Sequence, residues 1–298
     1  MQNIRGIILV TLSMAAFAVE DAFIKSSSAG LPVSEVLVFL GFGGAFAFAM
    51  ITYLTRGTLA PLVHRDMRSS MMLWRAASEG VSAMFFITAL SLVPISTVAA
   101  VFQATPLAIT AGAALFLGEA VGWRRWTAIG IGFLGVLMII RPGAEDFDMA
   151  ALFPIAAVFG IALRDLITRQ IDPSIPSTSV SFYGFFALIP AGLLMIPVTE
   201  PFVLPQGIQW GFLAGAMVFG VGGYYAIVLA MRIAETSIIM PFRYSRLIFS
   251  IILGVIIFGE RPDTLTYLGA MVVIGSGIYM FLREARANRR AARLPDAA

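Results

Sequence analysis

Leu117-Gly118-Glu119 closes one apolar run, and Phe258-Gly259-Glu260 closes another 141 residues later. The same register continues without a gap, matching Ala89 with Ala230, Ser96 with Ser237, and Trp126 with the aromatic Tyr267. A second register, at 144 residues, joins the two starts and matches Asp21 with Asp165, Lys25 with Arg169 and Pro32 with Pro176. Both spacings are about half of the 298-residue length, so the chain reads as one unit written twice. Internal duplication in an apolar chain is a mark of alternating-access transporters.

Outward from these two phrases, the apolar runs number about ten: 5–26, 34–55, 71–92, 96–117, 123–141, 149–168, 177–197, 209–232, 237–258 and 264–283. Each is long enough to cross a hydrocarbon core of about 30 Å. The chain is 12% charged, about half the share of an ordinary soluble domain. Ten such runs in series, with no amphipathic helices to cover them, argue against a soluble bundle. The expected fold is an all-α membrane protein of ten transmembrane helices in two inverted five-helix repeats. Its divisions are 1–143, 144–283 and a basic tail, 284–298.

The chain has no cysteine, which excludes disulfides and thiolate metal sites, and its single histidine, His64, lies in a basic loop. A net charge of +3 could suggest nucleic acid. The basic excess sits in loops and the tail, however, and membrane topology accounts for it better. Arg5 and the Ala16-Phe17-Ala18 step resemble a signal peptide. The repeat argues against cleavage, because Glu20-Asp21-Lys25 has a counterpart in Arg164-Asp165-Arg169 deep in the chain. Residues 5–26 are therefore expected to be a retained first helix.

Cytoplasmic loops are enriched in Lys and Arg. With the N-terminus inside, the inner segments hold Arg5, Arg56, Arg65, Arg68, Arg124, Arg125, Arg169, Arg232 and the tail from Arg283 to Arg293. The outer ends hold Lys25, Arg141 and Arg261, and the outer loop 141–148 is acidic at Glu145, Asp146 and Asp148. Both termini are expected in the cytoplasm. Five helices per unit is an odd number, so the second copy enters from the opposite side. Asp21 then lies toward the outside and Asp165 toward the inside.

Prolines at 106, 154, 190 and 241 fall within the runs and are expected to kink their helices. The dense glycines, among them Gly220-Val221-Gly222-Gly223 beside Tyr224 and Tyr225, allow two readings: close helix packing or a bendable segment. Ionisable groups in hydrocarbon are costly and mark function by default. Arg243 and Arg246 flank Tyr244 near mid-membrane on one face of the ninth helix. They form either an internal salt bridge or a cationic subsite for a carboxylate or phosphate, which the planar guanidinium suits. Glu79 is either a local partner of Arg75, a countercharge to Arg243 or Arg246, or a proton acceptor. Glu20, Asp21, Arg164 and Asp165 are repeat mates, candidates for gating or coupling at the two mouths of a pathway. Asp21 with Lys25 and Asp165 with Arg169 could instead pair locally at i,i+4. Gln103 and Thr105 flank Pro106. Gln103 and Tyr224 join Arg243, Tyr244, Arg246 and Glu79 as candidate substrate contacts.

These residues resemble the drug/metabolite transporter superfamily, EamA type. The likeness rests on Ala89-Leu90 through Pro94, Pro106-Leu107, Leu117-Gly118-Glu119 and its echo Phe258-Gly259-Glu260-Arg261. The resemblance implies two inverted bundles around a central cavity, with the fifth and tenth helices at the periphery. It also implies movement of amino acids, nucleosides, vitamins, other metabolites or drugs across the bacterial inner membrane, with no bound cofactor. Many members carry an arginine early in the second helix, where this chain reads Val38-Phe39-Leu40-Gly41-Phe42. Substrate contacts are therefore argued from this chain's own charges.

The leading reading is a secondary active transporter for a small polar or amphipathic metabolite with an acidic group, working in a lipid bilayer with a coupling proton, as a monomer or homodimer. The alternative is a passive facilitator or channel. An intramembrane enzyme would need a catalytic constellation, and the chain has no H-E-x-x-H, no G-x-S-x-G and no P-loop.

Overall fold

A computed structural model describes residues 2–63, 69–119, 121–144, 147–172, 174–234 and 236–291. His64, Arg65, Arg68, Glu145, Asp146 and Arg293 of the charge argument lie outside the described residues. The described chain is mainly helical, with turns between the helices and a longer non-helical stretch over 199–207. The first half contains α1 (Gln2–Ser28), α2 (Val33–Arg56) and α3 (Ser70–Leu92). Its fourth run is two helices, α4 (Ile95–Phe102) and α5 (Thr105–Phe116), and α6 (Trp123–Ile140) completes it. The second half contains α7 (Leu152–Thr168), α8 (Ser177–Met195) and α9 (Ile208–Ile233). Its ninth run is α10 (Thr236–Ile239), a 3-10 turn (Met240–Tyr244) and α11 (Ser245–Phe258); α12 (Thr264–Ala291) closes the bundle.

Among the described residues, nine helical segments are long and apolar enough to cross a membrane. The tenth, α3, has 23 residues and matches the thickness at about 34 Å, but it carries Arg75 and Glu79 inside its length. Ten spans place α1's start and α12's end on one face, the terminal face; the other is the opposite face.

The duplicated phrases are helix stops. Gly118 and Gly259 adopt left-handed φ values of 68° and 65°. The next amide reaches back six residues, Glu119 N to Ala113 O at 3.2 Å and Glu260 N to Gly254 O at 3.0 Å. This is a left-handed glycine stop, a conformation that an L side chain adopts only at a steric cost. The matched prolines start helices: Pro32 and Pro176 are the N-cap residues of α2 and α8, with ψ of 144° and 135°.

The interior prolines act unequally. Pro106 has no N–H for the Phe102 carbonyl, and the chain breaks at Gln103–Ala104. The Thr105 hydroxyl donates to that carbonyl at 2.7 Å. In the ninth run the 3-10 turn begins around Pro241, and the Ser245 hydroxyl donates to Phe242 O at 2.6 Å. The fourth and ninth spans are thus both interrupted near their middles. By contrast α7 and α8 run unbroken past Pro154 and Pro190.

Packing crosses between the halves: α1 lies on α9, α2 on α8, α3 on α7 and α6 on α12. Small residues permit it. Gly215 and Gly223 of α9 receive the rings of Phe23 and Phe17 of α1, and Ser13 donates to Gly223 O at 2.6 Å. The helix α9 is continuous from Ile208 to Ile233, and Gly220 and Gly223 serve close packing within it. A Cβ on Gly135 of α6 would stand 2.8 Å from the Gly269 carbonyl oxygen of α12, and one on Gly269 would stand 2.6 Å from the Gly135 oxygen.

Candidate functional site: an interhelical charge network

The inter-half packing brings α11 against α1, and with it Arg246 against Asp21. Arg246 Nη2 lies 2.8 Å and 2.7 Å from the two Asp21 oxygens, and its Nε is 3.2 Å from Oδ2. The guanidinium carbon lies 5.4 Å from the Phe17 ring centre and 5.8 Å from those of Phe86 and Phe102. The Asp21 side chain is 4% exposed and that of Arg246 19%, so this is a largely buried, boxed ion pair. Counting back from Phe258, Arg246 lies about 18 Å from the opposite-face end of its helix.

A second cluster joins α3 to α7. Glu79 accepts from Arg164 Nη1 at 2.7 Å and from Arg75 Nη2 at 3.0 Å. Arg164 Nε also donates to Asp165 at 2.8 Å, and Arg75 donates to Val180 O at 3.1 Å. Two arginines and two carboxylates leave the cluster formally neutral. Its room comes partly from Gly184, where a Cβ would stand 3.0 Å from Arg75 Nη1.

The charged groups select among the alternatives that the sequence leaves open. Glu79 holds its local partner Arg75, but its second partner is Arg164; it is not the countercharge of Arg243 or Arg246. The reason is packing: α3 lies on α7 and α8, while α11 lies on α1. Nor does Asp21 pair with Lys25. Lys25 Nζ instead donates to the carbonyls of Leu90 at 3.0 Å and Val93 at 2.6 Å. Arg169 pairs with Glu119 at 3.4 Å rather than with Asp165. Lys25 and Arg169 thus take acceptors from other segments in place of the i,i+4 carboxylate, while Arg75 keeps its own.

Arg243 stands apart. It sits in the 3-10 turn, exposed, three residues before the boxed Arg246. Among the described residues its hydrogen bond is to the Met240 sulfur, at 3.7 Å. The other candidates are less free. The Tyr244 hydroxyl packs against Gly277 of α12. Gln103 is 7% exposed and donates to Ala99 O of its own helix at 3.1 Å. Tyr224 sets its ring against the edge of Phe48, 5.3 Å between centres. The Glu20 carboxylate lies in the notch at Gly220 and has no hydrogen-bond or ion-pair partner among the described residues.

On the opposite face, Glu260, not among the sequence's site candidates, accepts from Ile95 N at 2.7 Å, Ser96 N at 3.1 Å and the Ser96 hydroxyl at 2.6 Å. The available signal was the repeat itself, which singles out both Glu260 and Ser96. Glu35 was also missed. It is fully buried in the first turn of α2, and Val203 N donates to one of its oxygens.

The EamA-like transporter family model matches this chain twice, over residues 4–141 and 148–283. A riboflavin transporter of Vibrio cholerae is 31% identical over 199 residues, 66% of each chain. An S-adenosylmethionine uptake transporter of Rickettsia conorii is 27% identical over 293 residues, 96% of this chain and 95% of its own. A pseudopaline exporter of Pseudomonas aeruginosa is 25% identical over 272 residues, 90% of this chain and 93% of its own. One solved crystal structure shares the fold at a TM-score of 0.64 and 20% identity, covering 95% of this chain and 98% of that one. Each half matches one copy of the same family unit, and the chain is a multi-pass membrane protein of the EamA-like transporter family.

Proposed function

We propose that the chain is a secondary active transporter carrying a small polar or amphipathic metabolite with an acidic group across the bacterial inner membrane by alternating access. The halves divide as 1–143 and 144–283, and both termini face the cytoplasm. The observation that carries the substrate assignment is Arg243. Arg75 and Arg164 share Glu79, and Arg246 is held by Asp21 inside three phenylalanine rings. Arg243 alone of these four has no carboxylate partner among the described residues and is exposed. An unneutralised cation at membrane depth costs several kcal/mol, and an anionic ligand group would offset that cost. A guanidinium also offers the planar fork that a carboxylate or phosphate accepts.

Riboflavin, S-adenosylmethionine and pseudopaline, the substrates in the relatives' names, are small metabolites. S-adenosylmethionine carries an amino-acid carboxylate of the kind Arg243 would bind. In this reading Asp21 with Arg246, and Glu79 with Arg164 and Asp165, clamp one half to the other and re-form as the pathway changes sides. Glu20, beside Asp21 and against Gly220, is the carrier of a coupling proton. Purified protein in proteoliposomes, screened across metabolite classes with and without a pH gradient, tests this. Saturable counterflow of acidic metabolites supports it; steady single-channel currents without counterflow would replace it with a channel.

A further inference from the structure

The turn between α3 and α4 is clasped from two directions. Pro94 is the N-cap residue of α4 and contributes no side-chain cap. The first amides of a helix need acceptors, and here a carboxylate from the ninth span supplies them. Glu260 takes the amides of Ile95 and Ser96 and the Ser96 hydroxyl. An anion at a helix start also complements the helix dipole. On the other side of the turn, Lys25 of α1 donates to the carbonyls of Leu90 and Val93. Gly254 makes room: a Cβ there would stand 2.6 Å from a Glu260 oxygen. Together these contacts tie α1, the α3–α4 turn and the end of α11 to one another at the opposite face.

Every member has a repeat mate on the terminal face: Glu119 for Glu260, Ser237 for Ser96, Arg169 for Lys25 and Ala113 for Gly254. The backbone stops around Glu119 and Glu260 are alike, but their carboxylates are not used alike. Glu119 is 50% exposed and is met by Arg169, itself 52% exposed, at 3.4 Å. The helices agree. The opposite-face pieces of the fourth and ninth spans, α4 and α11, pack together, whereas their terminal-face pieces, Thr105–Phe116 and Thr236–Tyr244, share no comparable packing among the described residues.

We propose that these two glutamates are the paired latches of the transport cycle: Glu260 with Lys25 and Ser96 holds the opposite face shut, and Glu119 with Arg169 closes the terminal face in the other state. The structure is the opposite-face-closed state, with the Glu119–Arg169 pair waiting unlatched. This rests on the alternating-access reading. Ala113 in place of Gly254 leaves less room beside Glu119, which makes the terminal-face latch the weaker one.

The cysteine-free chain allows two spin-label pairs, Leu92→Cys with Arg261→Cys on the opposite face and Leu117→Cys with Ile233→Cys on the terminal face, read by pulsed electron–electron distance measurements in nanodiscs. The expected result is two populations in which one distance is short when the other is long. Glu260→Gln shifts the ratio toward an open opposite face by about tenfold, as expected for loss of charge-assisted hydrogen bonds. Ser96→Ala, the milder change, shifts it the same way by less, and Glu119→Gln shifts it the other way. Alternating populations that ignore these substitutions, or that move in one direction for both glutamates, would overturn the latches and leave alternating access standing. A single population in wild-type protein that still transports would overturn both.

Discussion

Replacing Arg246 with leucine should strand Asp21. Its carboxylate is 4% exposed and receives all three of its short contacts from the one guanidinium. Breaking a buried pair from one side costs about 3–5 kcal/mol, because the remaining charge has neither water nor a partner. Arg246→Leu also loses the approach to Phe17, Phe86 and Phe102, about 0.5–1 kcal/mol per significant ring contact. Asp21→Asn added to Arg246→Leu removes the stranded charge but not the lost ring contacts. The double variant should recover most of the loss and stay about 1–2 kcal/mol below wild type. Glu79→Gln added to Arg246→Leu should rescue nothing, since Glu79 is held by Arg75 and Arg164. Unfolding of purified protein in mixed micelles, titrated with dodecyl sulfate and followed by tryptophan fluorescence, measures each member of this cycle. An Arg246→Leu protein as stable as wild type, or rescue by Glu79→Gln in place of Asp21→Asn, would refute the assignment of partners.

Gly135→Ala should destabilise by about 1–3 kcal/mol in the same assay, because its Cβ meets the Gly269 backbone at 2.8 Å. Gly130→Ala, with open space around it, should change little. At the opposite face, Arg141 and Thr266 hydrogen-bond Asp263 and hold its carboxyl at about 2. A lowered value stabilises the fold above the unfolded carboxyl value of about 3.9 and is lost as pH falls through about 2. The pair is exposed, so the effect should stay under about 1 kcal/mol. Arg141→Gln should therefore lie slightly below wild type at pH 5–7 (roughly where Asp263 is fully ionised), and the two curves should converge in strong acid. A gap that widens on acidification would contradict this. For orientation, Ala29→Cys and Ala144→Cys should react with an impermeant thiol reagent in intact cells and Ala297→Cys should not; the reverse pattern would invert the topology.

The element plan was legible because hydropathy and repetition are properties of the chain alone. The Leu117–Glu119 phrase and its echo announced two equivalent helix stops, and both glycines adopt the left-handed geometry that requires them. Pro32 and Pro176 likewise begin equivalent helices. Charge pairing was legible only where it is local. Arg75 and Glu79 meet at i,i+4, yet Asp21 and Lys25, with the same spacing, do not. Which carboxylate faces which arginine depends on how α1 lies against α11 and α3 against α7, and that follows from glycine notches and ring contacts across the halves rather than from periodicity. Glu20 illustrates this: its place against Gly220 follows from the α1–α9 packing. The capping role of Glu260 was hidden for the same reason, since its acceptor oxygens serve a helix about 165 residues away in sequence.

The claim that Arg243 receives an acidic substrate group is tested most directly by matched ligands. Metabolites from the amino-acid, nucleoside and vitamin classes, each offered as the carboxylate or phosphate and as its neutral amide or parent alcohol, would be titrated into purified wild-type protein with binding read by thermal stabilisation. Arg243→Lys and Arg243→Gln would be titrated alongside. The account predicts that an acidic member binds and its neutral partner does not. It also predicts weaker binding in Arg243→Lys, which keeps the charge and loses the fork, and no binding in Arg243→Gln. Equal affinity for the neutral partner, or unchanged binding of the acidic one to Arg243→Gln, would contradict it.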